Sequence, residues 1–560
     1  MHPSAPVWGD APTSTLHVTE HDKTHEMAVA SSAVWYFTGE APNKFVKDRV
    51  VQMLVANPWL ISTFTKHGKQ TRWVYPSKID SKDLQADDGA MLGRHFVVGE
   101  TDLHSQEKNY MKLQKAFKPY LCLQATELLK KENKNATCFQ VSLVRDTSGD
   151  TSGGSGDIPN NQFALILSVN HVLADGETMY ALSDMLSASG KVRSIQCERL
   201  KDFEIAQTIA VGKEKTMFSF GNYGFLCGLI GAILGDLRRG KPRDVLLCEV
   251  DGKYLERRKQ ESKKDNSVPF VSTNDILTSL LFTELIPARV GLMEGSLRDK
   301  GGFPASKQHA GNYTVMMPYF FGDSKTPCDV RQSMKPPGKE PKTDSDSGYF
   351  QIRCASGSVV PGCLRMLAGK GRYVAITNWA RIDKFGEMKL PSSVFTVHLP
   401  MIDMDVPSPF DGCIVWRPSV RKTAVLCFSR KRNLLPQKHE AYGERIMNFS
   451  TVQRAAHKNL KYFFHIFLLF FLHISTEISP STLRSVLRLP GCQCVSPLAR
   501  APECYFQPRN VDYCPSHRRA HLRFPKNREK HSWTFYFPFQ SMQRIRIPEP
   551  RTRLPFLYDL

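Results

Sequence analysis

The stretch Leu165-Ile-Leu-Ser-Val-Asn170-His171-Val-Leu-Ala-Asp175-Gly176-Glu-Thr-Met-Tyr180 decides how this chain is read. Phe163 to Val169 is an apolar run of strand length, the pattern of a strand buried on both faces. Met179, Leu182, Met185 and Leu186 then recur at helical spacing, with Ser183 and Asp184 on the polar side. His171 therefore falls at the carboxyl end of a buried strand, where open sheets place their ligands. A base that strips a proton from a hydroxyl, amine or thiol at neutral pH needs a pKa near seven, and an imidazole meets that need unperturbed. Asp175 could accept from the imidazole, or pair with an arginine and hold the strand-to-helix turn rigid. The second role is the expectation, because Gly176 implies a tight backbone turn that directs the carboxylate away from the ring. The plain alternative is a satisfied core histidine beside an ordinary Asp-Gly turn.

The chain has 560 residues and a net charge of +21, which invites a nucleic-acid reading. From Thr451 onward there are 17 Lys and Arg against 6 Asp and Glu, so about half the excess lies in that last stretch. No helix-turn-helix, RNA-binding or finger signature accompanies the charge, and nucleic acid is not expected as a partner. The modest surplus of the remaining chain suits a polyphosphate cosubstrate. Fourteen cysteines are scattered without paired spacing, and Met1-His-Pro-Ser opens no charged-then-apolar leader. Both point to a reducing, cytoplasmic compartment. Cys492, Cys494, Cys504 and Cys514 with His517 and His521 fit no common zinc frame, so no metal is expected.

Residues 1–29 read as a disordered, Pro- and Ser-rich N-terminus. Ala33 to Phe37 reads as a strand, and Val46, Val50, Met53 and Leu54 as a helical stripe ending at Asn57-Pro58. Phe139, Val141 and Leu143 alternate as a strand, and Asp146 to Gln162 is a Gly- and Ser-rich loop leading into the motif. Met217 to Gly235 carries no charge and has two G-x-x-x-G spacings. A full membrane crossing there is rejected, since it would set the halves of one globular body on opposite sides of a bilayer; a buried connector is preferred over a hairpin dipping into a membrane surface. Asn274 or Thr273 is read as the N-cap of a helix whose Ile276, Leu277, Leu280, Leu281 and Leu285 face inward. Strands are expected at Tyr313 to Phe320, Tyr373 to Thr377, Phe395 to Leu399, Cys413 to Trp416 and Thr423 to Phe428, and disorder from Asp323 to Ser347.

The motif His171-x-x-x-Asp175-Gly176 resembles that of the CoA-dependent acyltransferase superfamily, which includes BAHD acyltransferases, chloramphenicol acetyltransferase, wax ester synthases and condensation domains. Ser272-Thr-Asn-Asp-Ile-Leu277, Gly311-Asn-Tyr313 and Thr377-Asn-Trp379 are similar to later BAHD elements, in the same order. Asn170 stands where condensation domains carry a second histidine, which favours the BAHD-like side. The Asp-Phe-Gly-Trp-Gly signature appears only as Lys384-Phe-Gly-Glu-Met388.

The resemblance implies an α/β fold of two chloramphenicol-acetyltransferase-like subdomains, each a mixed sheet flanked by helices, with a tunnel at their interface. It sets residues 30–205 and 244–432 as the two subdomains, 206–243 as an apolar connector and 433–560 as a basic, disordered extension. It also implies roles: His171 as general base, Trp379 as a donor to the tetrahedral oxyanion, and Asp175, Gly176 and Arg298 as the structural set of the motif, Arg298 clamping Asp175. Asn170, Asn312 and Thr377 are the candidate substrate-binding residues. The expected partners are acyl-CoA as cosubstrate and a small-molecule or lipid acceptor, with no permanently bound cofactor and a monomeric chain. Two rivals stand beside this reading: a condensation-type enzyme with a carrier-tethered donor, and a non-catalytic binder of an apolar ligand.

Overall fold

The computed structural model describes residues 12–19, 22, 25, 26, 28–67, 70–85, 90–102, 110–130, 133, 136–147, 162–200, 203, 244–288, 290–299, 303–320, 323–333, 373–381, 388–404, 410–429, 435, 436 and 438–451. The chain divides into two compact units, Met1–Leu469 and Phe470–Leu560, and every described residue belongs to the first. The apolar connector 206–243, the segment 382–387 and the tail beyond 451 lie outside the described residues.

The strands, in chain order, are β1 (Thr13–His17), β2 (Ser31–Gly39), β3 (Thr63–His67), β4 (Gln70–Pro76), β5 (Phe96–Thr101), β6 (Phe139–Asp146), β7 (Gln162–Val169) and β8 (Asp244–Val250). They continue as β9 (Val290–Ser296), β10 (Thr314–Phe320), β11 (Tyr373–Asn378), β12 (Ser393–Met401), β13 (Asp411–Ser419), β14 (Lys422–Ser429) and β15 (Tyr442–Thr451). A five-stranded sheet runs β12-β2-β7-β6-β5, a seven-stranded sheet runs β10-β9-β11-β13-β14-β8-β15, and β1-β4-β3 form a small third sheet. Both large sheets are mixed. In the first only β5 and β6 pair in parallel; in the second β11 is parallel to both β9 and β13. The protein is thus a mixed α/β fold.

The period-two alternation of side chains explains how the two sheets stack. On β7, Phe163, Leu165, Leu167 and Val169 enter a core with the motif helix, whereas Ala164 and Ile166 point into a second core. On β8, β13 and β14, Val245, Leu247, Ile414, Trp416, Ala424 and Leu426 meet them in that second core. The opposite face of the seven-stranded sheet, with Leu246, Cys248, Val415, Val425 and Cys427, packs in a third core with the helix Thr273–Leu280. Each of the two large sheets is therefore buried on both faces, which is why central strands such as β7, β8 and β13 are written in nearly unbroken apolar residues.

Several sequence expectations give way here. Residues 1–29 are not uniformly unstructured: β1 pairs with β4, Leu16 is buried, and Asp22 is 2 % exposed. One buried ion pair, Asp22 with Arg199 at 2.9 Å, anchors a segment whose composition alone reads as frayed. The ordered chain also runs past 432, since β15 pairs with β8 at the sheet edge and Leu435 and Ala441 are buried. β12, placed by sequence in the second half, pairs instead with β2 of the five-stranded sheet. Pattern gives a strand its faces but not the edge it joins. Within the expected disorder of 323–347 a short helix forms at Pro327–Ser333, where Asp329 accepts from the backbone N–H of Thr326 at 2.8 Å. The cap of the helix Thr273–Leu280 is Ser272 rather than Asn274 or Thr273: its side chain and that of Asp275 form a reciprocal capping box.

Candidate functional site

β7 delivers the motif to the end of the five-stranded sheet, and His171 opens the turn that follows. Asn170 shapes that turn. Its amide Nδ2 donates to the Leu123 carbonyl at 2.7 Å, and its Oδ1 accepts from the Val172 N–H at 3.1 Å. Asn170 is 2 % exposed and bonded at both ends of its side chain to the backbone. The Asn312 Nδ2 likewise donates to the carbonyls of His171 at 2.8 Å and Val172 at 3.1 Å, and to Asp22 at 3.2 Å, tying the seven-stranded half to the turn. Thr377 lies on β11, two residues before Trp379, and no side-chain hydrogen bond joins it to the motif among the described residues.

Asp175 leaves the turn as the N-cap of the helix Gly176–Leu186, its Oδ1 accepting from the Thr178 N–H at 2.9 Å. The same carboxylate receives a two-pronged pair from Arg298, with Nη1 at 2.6 Å and Nη2 at 3.1 Å. Both side chains are almost wholly buried. Arg298 also donates to the carbonyls of Gly311 at 2.9 Å and His309 at 3.2 Å and to the Thr178 hydroxyl at 3.0 Å, and stacks over the Tyr313 ring at 5.0 Å. Burial alone would push the Asp175 carboxyl up, but the Arg298 charge and the bonds from Arg298 and Thr178 outweigh it and hold it below the usual carboxylate range. The carboxylate is thus committed to the clamp. Gly311 needs its own freedom from a side chain: its φ is 141°, and a Cβ there would stand 2.6 Å from Arg199 Nη1.

With Asp175 turned to Arg298, the His171 Nδ1 is buried with no hydrogen-bond partner. Its ring is stacked instead on that of His25, with centroids 4.8 Å apart and planes at 21°. Sequence reasoning missed His25 altogether, because nothing in a Thr- and His-containing N-terminal segment marks it as a neighbour of the motif.

Gly176 is not a positive-φ residue; it is the first residue of the helix. Its lack of a side chain serves a different end from the tight turn expected of it. A Cβ there would lie 3.0 Å from the Trp379 indole nitrogen and 3.4 Å from Cδ1 and Cε2. Trp379 follows β11 in a short 3-10 turn. Asn378 fixes that turn, its Oδ1 accepting from the Ala380 N–H at 2.9 Å while its Nδ2 donates to Asn274 at 2.7 Å. The Ser272 to Leu277 and Thr377 to Trp379 stretches, distant in sequence, are therefore bonded side by side. The Trp379 indole N–H has no hydrogen-bond acceptor among the described residues, so the structure brings a bare indole donor to the start of the motif helix.

Beneath Trp379 lies a buried aromatic stack that the sequence did not reveal. Tyr180 packs edge-on to Trp379 at 5.7 Å, and its hydroxyl meets His398 Nε2 at 3.1 Å. His398 Nδ1 lies 3.2 Å from the Arg417 carbonyl, which can only accept; Nδ1 therefore carries the proton and Nε2 accepts from Tyr180. Burial drives the His398 pKa down to about 3 despite that carbonyl, so the ring is neutral at physiological pH. No group of three or more His, Cys, Asp or Glu that could hold a metal ion occurs among the described residues, and no helix among them is long and apolar enough to cross a membrane.

No family model matches the chain, and no curated protein matches it. Among solved structures it is similar to polyketide synthase associated protein 5 from Mycobacterium tuberculosis, at 12% identity and a TM-score of 0.45, over 74% of this chain and 93% of that one. It is also similar to F. sporotrichioides TRI101, solved with coenzyme A and T-2, at 11% identity and a TM-score of 0.44, over 75% and 95% of the two chains. A third is the epimerization domain from the third module of tyrocidine synthetase B, at 11% identity and a TM-score of 0.41, over 75% and 92%.

Proposed function

We propose that this chain is an acyltransferase that moves an acyl group from acyl-CoA to a hydroxyl or amine acceptor, with His171 as the general base. The observation that carries the reading is the pair of groups flanking the motif turn that have no hydrogen-bond partner among the described residues: the His171 Nδ1 from the five-stranded sheet and the Trp379 indole N–H from the seven-stranded one. A purely structural histidine would be expected to satisfy its buried nitrogen.

In this mechanism His171 takes the proton from the acceptor as its oxygen or nitrogen attacks the thioester carbonyl. The carbonyl oxygen becomes an oxyanion, which receives the Trp379 indole N–H. Collapse of the tetrahedral species breaks the carbon–sulfur bond, and the departing thiolate takes the proton from the His171 imidazolium. No metal or bound cofactor enters any step. Asp175 does not touch the imidazole; with Arg298 it holds the turn rigid. Donor and acceptor would reach His171 from opposite ends of a tunnel between the two sheet-based lobes, an arrangement supported by His171 and Trp379 arising from different sheets.

The test is thiol release from a panel of acyl-CoA donors, with and without hydroxyl and amine acceptors, on the purified chain and on His171→Ala. Acceptor-dependent CoA release that is lost in the variant is the expected result. Binding of apolar ligand without donor consumption would overturn the proposal.

A further inference from the structure

We propose that His25 is a positioning residue for His171, its stacked ring fixing the plane of the imidazole in place of the hydrogen bond that Nδ1 lacks. The inference rests on the reading of His171 as the base. In a base oriented by a carboxylate, a bond to the second ring nitrogen sets the tautomer and the rotation of the ring. Here Asp175 is bonded to Arg298, and the His171 Nδ1 has no partner. What lies against the ring is His25, at 4.8 Å and near-parallel.

The segment that carries His25 is held by the same bonds that hold the motif turn. Asp22 accepts from Arg199 Nε at 2.9 Å and from Asn312 Nδ2 at 3.2 Å. Arg199 Nη2 donates to the carbonyls of Val172 at 2.9 Å and Leu173 at 3.3 Å, the two residues that follow His171. Asn312 Nδ2 donates in addition to the His171 carbonyl itself. From Asp22 the chain turns back on itself, the His25 N–H donating to the Asp22 carbonyl and the Ala28 N–H to the His25 carbonyl, both at 2.9 Å. Two rings borne by segments nearly 150 residues apart are thus referred to one shared anchor. A near-parallel stack points neither ring's nitrogens at the other, so the contact is a matter of a flat face. A flat aromatic ring should therefore preserve this stacking contact.

The experiment compares His25→Ala, His25→Leu and His25→Phe with the unaltered chain, measuring kcat, KM for donor and acceptor, and the thermal midpoint. His25→Ala and His25→Leu are expected to lower kcat by roughly 10- to 100-fold with both KM values within about threefold, because a base misplaced by a fraction of an ångström loses rate rather than binding. His25→Phe is expected to keep kcat within about threefold. Leu fills the volume without a flat face, so it reads the loss even where Ala fails to fold. The inference is overturned if Ala and Leu keep kcat, or if Phe falls as far as they do. His171→Ala is assayed alongside: if it retains turnover the function reading fails, whereas loss there with inert His25 variants removes this inference alone.

Discussion

Replacing Arg298 with methionine should be among the most damaging single changes available in the motif, and its size follows from the geometry. Unit charges about 3 Å apart attract by about 5–6 kcal/mol at an effective dielectric of about 20. Some of that is offset in the native chain by the desolvation of both groups, but the variant leaves Asp175 buried with its share of the penalty unrelieved. Breaking a buried pair from one side costs roughly 3–5 kcal/mol, and the carbonyls of Gly311 and His309 lose their donor as well. Guanidinium unfolding followed by tryptophan fluorescence at pH 7 should record that difference. The pH dependence provides a second check. In the native chain the Asp175 pKa is lowered, so its contribution is present above the unfolded value and is lost as pH falls through the depressed one. In Arg298→Met burial is opposed only by the remaining bonds from Thr178 and Tyr313, so the folded pKa rises from its native position and the penalty is relieved by protonation as pH falls. The gap between the two proteins should narrow from pH 7 to pH 4, and Asp175→Asn/Arg298→Met should be less destabilised than Arg298→Met alone. A loss under about 1 kcal/mol at pH 7, or a gap that does not narrow, would refute the reasoning.

Three further outcomes follow from the site. Gly176→Ala puts a methyl 3.0 Å from the Trp379 indole nitrogen, so kcat should fall roughly tenfold with little change in thermal midpoint, as measured by steady-state CoA release. Trp379→Phe, which keeps the ring but removes the N–H, should lower kcat by roughly 100-fold or more with KM nearly unchanged; an unaltered kcat would remove it as oxyanion donor. His398 and His95, held by burial at about 3 and about 4, remain neutral in the folded chain while the unfolded chain charges below about 6.5. Stability should then fall as pH drops from 7 to 5, by about 2 kcal/mol from each group, and denaturant midpoints at the two values would show it.

The motif strand is legible in sequence because burial on both faces leaves a run such as Phe163 to Val169 with little choice but to be apolar. The helix Gly176–Leu186 is legible from its period, and the Arg298 position only through resemblance, since 123 residues separate it from Asp175. The reason for Gly176 is not legible: the indole against it comes from another sheet. The N-terminal segment escapes because the Asp22–Arg199 pair, the Asn312 bond to Asp22 and one short strand order it, none of which leaves a periodic trace. β12 shows its alternation in sequence but not its partner, and composition merges β15 with the basic tail that follows it. Leu435 and Ala441, apolar and spaced just before β15, are the signal that moves that boundary.

The central claim is that His171 removes the acceptor's proton, and single-turnover acyl transfer from acyl-CoA with His171→Ala tests it most directly. The account predicts a rate lower by roughly 100- to 10,000-fold with donor binding and thermal midpoint preserved. Transfer at a rate close to that of the unaltered chain would contradict it.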